Sequence, residues 1–376
     1  MMEATIVESM QPSATGQTSV PIHDQTKADA FAAKMLGVIN AASLGLMTSI
    51  GHRTGLFDAM SGLEASTPKR IAEVAGLNER YVREWLGAMA TGAVVEHDAV
   101  GDTYHLPPEH AAFLTRAASP NNMAVTTQFF SVLGGVEDRI VECFRSGGGV
   151  PYSAYPRFHE VMAEESAQTV LAALVDFILP LAAGMTERLG AGADVLDVGC
   201  GRGRAMLLLA ETFPRSRFTG FDLSTETVAE ANAEAAAKGL GNVRFETRDV
   251  TALDVREQYD LVTAFDAIHD QAHPARVLAG IARALRPDGT FLMQDIAGSS
   301  HVGHNMEHPI APFDYTISCM HCMTVSLAQG GVGLGAMWGE EQAQELLAAA
   351  GFAHVELKKL PHDIINVYYV ARLGQP

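Results

Sequence analysis

Residues Ala193-Asp-Val-Leu-Asp-Val-Gly-Cys-Gly-Arg-Gly203 constrain the fold more than any other stretch of this chain. Val195, Leu196 and Val198 form an apolar run of the length of a buried parallel strand. Gly199, Gly201 and Gly203 follow at alternate positions, and Ala205-Met-Leu-Leu-Leu-Ala210 reads as the start of a helix. Strand, glycine turn and helix are the first half of a nucleotide-binding βαβ unit. Glycines let the backbone turn tightly and let a ligand lie directly on it. The spacing is G-x-G-x-G, so Arg204 stands where a dinucleotide fingerprint places its third glycine.

Acids follow in register. Ser216–Asp222 reads as a second strand, its acid about 20 residues beyond the turn, the distance of a ribose-binding carboxylate. Asn242–Asp249, Asp260–Asp266 and Gly289–Asp295 read as the third, fourth and fifth strands, each closed by an acid. Open α/β sheets bind their ligands at those carboxyl ends. A loop acid that merely caps the next helix explains any one of these but not the whole set.

These residues resemble the class I S-adenosylmethionine-dependent methyltransferases. The resemblance is carried by Asp197-Val-Gly-Cys-Gly-Arg-Gly203, Asp222, Arg248-Asp249-Val250 and Leu285-Arg-Pro-Asp-Gly-Thr-Phe291, and covers roughly residues 165 to 376. It implies an α/β, Rossmann-like, seven-stranded sheet whose last strand runs antiparallel, with Phe352–Leu357 and Asn366–Ala371 as the closing hairpin. It further implies S-adenosyl-L-methionine as cofactor. Gly199, Cys200 and Gly201 offer backbone to its methionine part, Asp197 orders the turn and reaches the ammonium group, and Asp222 accepts the ribose hydroxyls. Asp249 accepts from the adenine amino group, and Leu223, Val250 and Phe265 enclose the ring.

The same resemblance singles out Ile268-His269-Asp270, which matches the Leu-His-Asp segment of small-molecule O-methyltransferases, whose histidine is the general base. Gln271 replaces the usual tryptophan. Methyl transfer from a sulfonium is an in-line displacement with a neutral leaving group, so alignment and removal of the nucleophile's proton are the tasks left to the protein. His269 is therefore the candidate base. The competing reading is a histidine that packs or caps the following helix.

Upstream, residues 1–27 are polar without an apolar period and read as a disordered tail. Residues 28–118 read as a mostly helical winged-helix domain. Within it Met35, Val38, Ile39, Ala42, Leu46 and Ile50 repeat at helical spacing, and Thr67-Pro68 and Asn78 each cap a short helix. Gly92–Leu106 reads as a two-stranded wing. In the second short helix Arg80 and Arg83 alternate with Glu79 and Glu84, so no basic stripe faces a groove. Small-molecule O-methyltransferases carry such a domain for dimerisation and to roof the active site, and a homodimer is expected. Residues 119–190 are linking helices, with one helix from about Phe158 to Leu189. Tyr152 and Tyr155 stand just before it, either as core aromatics or as walls of a substrate site.

The net charge of −18 repels phosphate backbones and anionic membranes, which argues against nucleic-acid and membrane partners. Cys143, Cys200, Cys319 and Cys322 lack the spacing of a disulfide framework, and no basic, apolar leader opens the chain, so a reduced cytoplasm is expected. The apolar stretches 31–50 and 170–185 are interrupted by Lys34 and Asn40, and by Asp176 and Pro180, and read as buried helices.

The segment 297–337 is long enough to be a lid inserted into the 191–376 domain. His301 and His304 within it are candidate substrate contacts, and its methionine-rich part from Ile317 to Leu327 suits an apolar ligand. Cys319, His321 and Cys322 are too closely spaced for a usual structural zinc site, so no metal is expected. The function that follows is methyl transfer to a small, fairly apolar acceptor at a hydroxyl. The alternatives are nitrogen or sulfur methylation, or a winged-helix regulator that keeps the cofactor fold.

Overall fold

The computed structural model describes residues 24–361 and 363–374. The chain forms two compact units, 1–45 and 46–376. Of the expected polar tail, residues 1–23 lie outside the described residues, and helix α1 (Gln25–Thr54) begins directly after Asp24. In the first unit α1 leaves Phe31, Met35, Leu36, Val38 and Ile39 exposed. The stretch 31–50 is helical as expected, but the expectation that it is buried is not met, because the residues that would cover it are not within its own unit. At 30 residues, interrupted by few charges, α1 is the helix among the described residues long and apolar enough to cross one. Length and composition do not distinguish a span from a helix that packs against protein.

In the second unit the end of α1 turns inward, with Ser49 and His52 buried and the Met47 carbonyl accepting from Trp85 Nε1 at 2.8 Å. The winged helix forms where the capping residues place it. Thr67 accepts from Arg70 N and Pro68 opens α2 (Pro68–Ala75), which Gly76 ends in a left-handed conformation. Asn78 accepts from Arg80 N and opens α3 (Glu79–Thr91). Strands β1 (Glu96–Asp98) and β2 (Thr103–His105) pair antiparallel as the wing. Arg80 pairs with Glu84, and Arg83 with Glu79, so both cations of α3 are neutralised within their own helix.

The single helix expected from Phe158 to Leu189 is broken. Helix α4 (Phe158–Ser166) passes into two π-helical turns, Ala167–Leu171 and Leu174–Ile178, then a 3-10 turn Leu179–Leu181. A further helix, Met185–Ala191, starts only after left-handed Gly184. Pro180 and Gly184 supply the interruption, one by removing a donor, the other by a backbone no regular helix keeps.

Residues 194–373 carry one seven-stranded sheet. Its strands are β3 (Asp194–Val198), β4 (Arg217–Asp222), β5 (Val243–Thr247), β6 (Tyr259–Phe265), β7 (Leu285–Ile296), β8 (Phe352–Lys358) and β9 (Asn366–Leu373). Their order is β5-β4-β3-β6-β7-β9-β8, with β9 antiparallel to both neighbours. Burial on both faces explains the near-continuous apolar runs of β3 and β6. Leu196, Val198 and Val262 pack on one face with Val277, Ile281 and Leu347, from α7 (Pro274–Ala284) and α9 (Gly339–Ala349). Val195, Phe218 and Leu261 pack on the other with Met206, Leu209 and Val228, from α5 (Arg204–Thr212) and α6 (Thr225–Ala237). Each such large side chain removed from water contributes about 1.5–3 kcal/mol. The parallel strands share one carboxyl end, and the glycine turn and the strand-end acids are gathered there.

Candidate active site

The turn between β3 and α5 requires its glycines. Gly199, Gly201 and Gly203 have φ of 73°, 52° and 68°, a region costly for side-chain residues. A Cβ on Gly199 would stand 2.6 Å from that of Ala267, and one on Gly203 2.3 Å from the Phe245 ring. The N–H groups of Gly199 and Cys200 both donate to the Phe221 carbonyl, at 2.9 and 3.1 Å. Asp222, closing β4, accepts from Gly201 N through Oδ2 and from Ser224 N through Oδ1, each at 2.8 Å. The carboxylate is thereby fixed with a lone pair left on each oxygen.

A cavity of about 1030 Å³ opens on this turn. Gly199, Gly201, Asp222, Leu223, Val250 and Phe265 line it, which brings together six of the nine expected cofactor residues. The other three lie apart. Asp197 is 3 % exposed and accepts from Thr263 Oγ1 at 2.7 Å, and burial pushes its carboxyl up to about 7. Being within β3, it points between its cross-strand neighbours Gly220 and Thr263 rather than into the cavity. Cys200 is half-buried with its sulfur against Gly220, and burial pushes its thiol up. Asp249 caps the turn Val250–Ala252, accepting from the Thr251 amide at 2.9 Å and its hydroxyl at 2.7 Å. It lines a smaller neighbouring cavity with Leu223, Thr251 and Arg276.

His269 lies on the turn after β6, 4 % exposed and lining the main cavity. Its Nδ1 is 2.7 Å from Asp295 Oδ1 at the end of β7. Asp295 Oδ1 also accepts from Trp338 Nε1 at 3.0 Å and Ile296 N at 2.9 Å, which fixes the carboxylate. A carboxylate only accepts, so Nδ1 carries the proton and Nε2 is left to act as base. Burial, the largest single influence, would lower the imidazole's pKa, but the Asp295 carboxylate and the adjacent Cys322 together outweigh it and the net direction is up. Three residues earlier Asp266 has φ of 51°, and its Oδ1, with Gln294 Oε1 and Asn366 Oδ1, lacks a partner among the described residues. Asp266 and Asn366 line the cavity.

Aromatic side chains form the opposite wall. Tyr152 donates to Asp270 Oδ2, and Tyr155 to the Met320 carbonyl. Phe158 of α4 and Phe313 of α8 (Ala311–Ile317) join them at the cavity. The segment 297–337 is largely helical, and Phe313, Ile317, His321 and Cys322 bring it to the cavity. His301 and His304 do not reach it. They sit exposed about the 3-10 turn Val302–Asn305, their rings packed on one another and His304 Nδ1 3.2 Å from Ser299 Oγ. Among the described residues no group of three or more His, Cys, Asp or Glu side chains could hold a metal ion.

Residues 189–351 match the model of a methyltransferase domain, and residues 42–116 that of an Rv2258c-like winged HTH domain. The nocamycin O-methyltransferase of Saccharothrix syringae is 30% identical over 204 residues, which is 50% of this chain and 70% of that protein. The chain belongs to the methyltransferase family. This methyltransferase is also 33% identical over 114 residues to the trans-aconitate 2-methyltransferase of Deinococcus radiodurans, covering 30% of this chain and 42% of the relative. It thus spans less than half the length of the first curated relatives it matches. Its fold is that of the mitomycin 7-O-methyltransferase MmcR, with a TM-score of 0.67 at 19% identity over 92% of this chain and 99% of that one. Human N-acetylserotonin methyltransferase, solved with S-adenosylmethionine, gives 0.67 at 17% identity over 95% and 100%.

The residues present fit S-adenosylmethionine. Gly199 and Gly203 leave no room for a Cβ and Gly201 lies bare beside the cavity with a left-handed φ, Asp222 keeps two open lone pairs, and the unpartnered oxygens of Asp266 and Asn366 suit a cationic ligand. Sequence reading passed over Asp295 as a partner of His269, although its place at the end of the fifth strand was the available signal. Phe158 was legible as part of an aromatic cluster with Tyr152 and Tyr155, and His321 as one of the Cys/His residues of the lid, but nothing local brought the two together, and Asn366 offered no signal.

Proposed function

We propose that this methyltransferase transfers the methyl group of S-adenosylmethionine to a hydroxyl of a small, largely apolar acceptor, with His269 as general base. The observation that carries this reading is the His269–Asp295 pair on a cavity shared by the glycine turn and an aromatic wall. The cofactor, when bound, supplies an electrophilic methyl on a sulfonium whose leaving group is neutral, so no acid is needed on that side. Gly199 and Gly201 offer backbone to its methionine part, Asp222 the ribose contact, and Leu223, Val250 and Phe265 apolar surface to the adenine. Asp249 is assigned to the adenine edge through the adjoining cavity, and Asp197 and Cys200 to holding the turn.

His269 Nε2 takes the hydroxyl proton as the oxygen attacks, while Asp295 holds the ring and stabilises its imidazolium. Tyr152 and Tyr155 shape the acceptor wall. A hydroxyl acceptor needs such a base more than a thiolate does, which favours oxygen over sulfur. Turnover of a panel of phenols, followed as S-adenosylhomocysteine release, tests the reading. His269→Ala should lower it ~10²–10⁴-fold with cofactor affinity nearly unchanged. Methyl transfer confined to amines or thiols would replace the hydroxyl reading.

The molecule is further proposed to work as a cytoplasmic homodimer without nucleic-acid or membrane partners. Support comes from the exposed apolar side chains of α1, which suit a second copy of the chain, and from the internally paired arginines of α3 with the net charge of −18.

A further inference from the structure

His321 lies in the π-helical turn Ser318–Cys322, an insertion that interrupts the helical register between α8 and the following helix Met323–Ala328. Such turns are rare and gather at functional sites. The imidazole stacks on Phe158, with centroids 3.6 Å apart and planes 11° apart. Tyr152 and Tyr155 meet it edge-on, each at 4.9 Å. It is 2 % exposed and lines the main cavity, yet Nε2 has no hydrogen-bond partner among the described residues. Both neighbouring phenols give their protons elsewhere, Tyr152 to Asp270 and Tyr155 to the Met320 carbonyl, so neither donates to it.

A buried ring nitrogen without a partner is a standing cost that a ligand group can remove. We infer that His321 is a positioning residue that hydrogen-bonds a second oxygen function of a planar aromatic acceptor, while His269 addresses the hydroxyl that is methylated. The inference rests on the acceptor cavity proposed above. Burial, reinforced by His269 and His159, pushes the His321 pKa well below the usual imidazole range, so the ring is neutral and offers one N–H and one lone pair. A hydroxyl can answer either. The two histidines approach the cavity from different elements, the turn after β6 and the π turn, and Cys322, next in the chain to His321, lies against His269. A diphenol therefore fits this pair of contacts better than a monophenol.

The test compares phenol with catechol, resorcinol and hydroquinone. In the wild type at least one diphenol should be preferred in kcat/KM by about tenfold. His321→Phe keeps the stack and removes the nitrogen, and should abolish that preference chiefly through the KM of the diphenol. His321→Asn should restore part of it. S-adenosylhomocysteine affinity measured on the same samples establishes that each variant is folded. In parallel, the 15N signals of the His321 ring should move when the diphenol is added to wild-type protein and not when phenol is added. A preference that survives in His321→Phe, or ring signals that ignore the diphenol, overturns the inference. Should the wild type methylate no hydroxyl at all, the proposed reaction falls, and the nitrogen signals still decide whether His321 binds the second oxygen.

Discussion

His269, on the turn after β6, and Asp295, at the end of the neighbouring strand β7, meet at 2.7 Å although they stand 26 residues apart. Trp338, from the turn before α9, donates to the same carboxylate oxygen, so three elements hold one proton-transfer pair. The pair is buried, and its electrostatics carry a definite sign. A base whose pKa is raised is protonated and idle at low pH, so kcat/KM should climb with pH through a midpoint above the usual imidazole value. Asp295→Asn removes the charge that raises it. The rising limb should then move to lower pH while the plateau drops, because the ring loses its orienting partner. A pH–rate profile of both proteins reads this directly, and an unmoved limb would detach Asp295 from the base.

Asp222 is tethered by Gly201 N and Ser224 N and still presents two lone pairs to the cavity. Asp222→Ala should weaken S-adenosylhomocysteine by ~1–3 kcal/mol, through unpaired ribose hydroxyls and a loosened turn. Titration calorimetry measures the loss, and an unchanged affinity removes Asp222 from the cofactor site.

Asp197 offers a stability test separate from catalysis. Its folded-state pKa of about 7 lies above the ordinary carboxyl value of 3.8, so the folded protein holds this proton where the unfolded chain releases it. Between those values the contribution of Asp197 to stability falls as pH rises. Asp197→Asn keeps an acceptor for Thr263 and cannot ionise, so its unfolding free energy should fall less steeply from pH 4 to pH 7. Denaturant titrations at several pH values check the slope, and parallel slopes for the two proteins would refute the assignment.

Assembly is testable through α1. Leu36→Glu together with Ile39→Glu places charges on its exposed apolar face. Light scattering at tens of micromolar should show a dimer for the wild type and a monomer for this variant. A wild-type monomer under those conditions would leave α1 without the proposed partner.

The glycine turn, the strand-end acids, the capped helices of the winged domain and the final hairpin were legible in the residues because each rests on local stereochemistry. Left-handed φ, a cap two or three residues from its donor and strand burial are set by neighbours in sequence. Asp222 stood out by its spacing from the glycine turn, whereas the resemblance to class I methyltransferases put Leu223, Val250 and Phe265 on the cofactor face, and all four line the cavity. What depends on distant partners was decided only in three dimensions. Asp197 belongs to the same motif as Gly199, yet its strand position points it at Thr263. The histidine-rich start of the lid is exposed, whereas His321, in a run that reads as methionine-rich helix, enters the aromatic wall through a π turn. A one-residue change in helical register rotates a side chain by about 100°, and no local pattern announces it. Pairing His269 with Asp295 required the order of β6 and β7 in the sheet, which tertiary packing alone establishes.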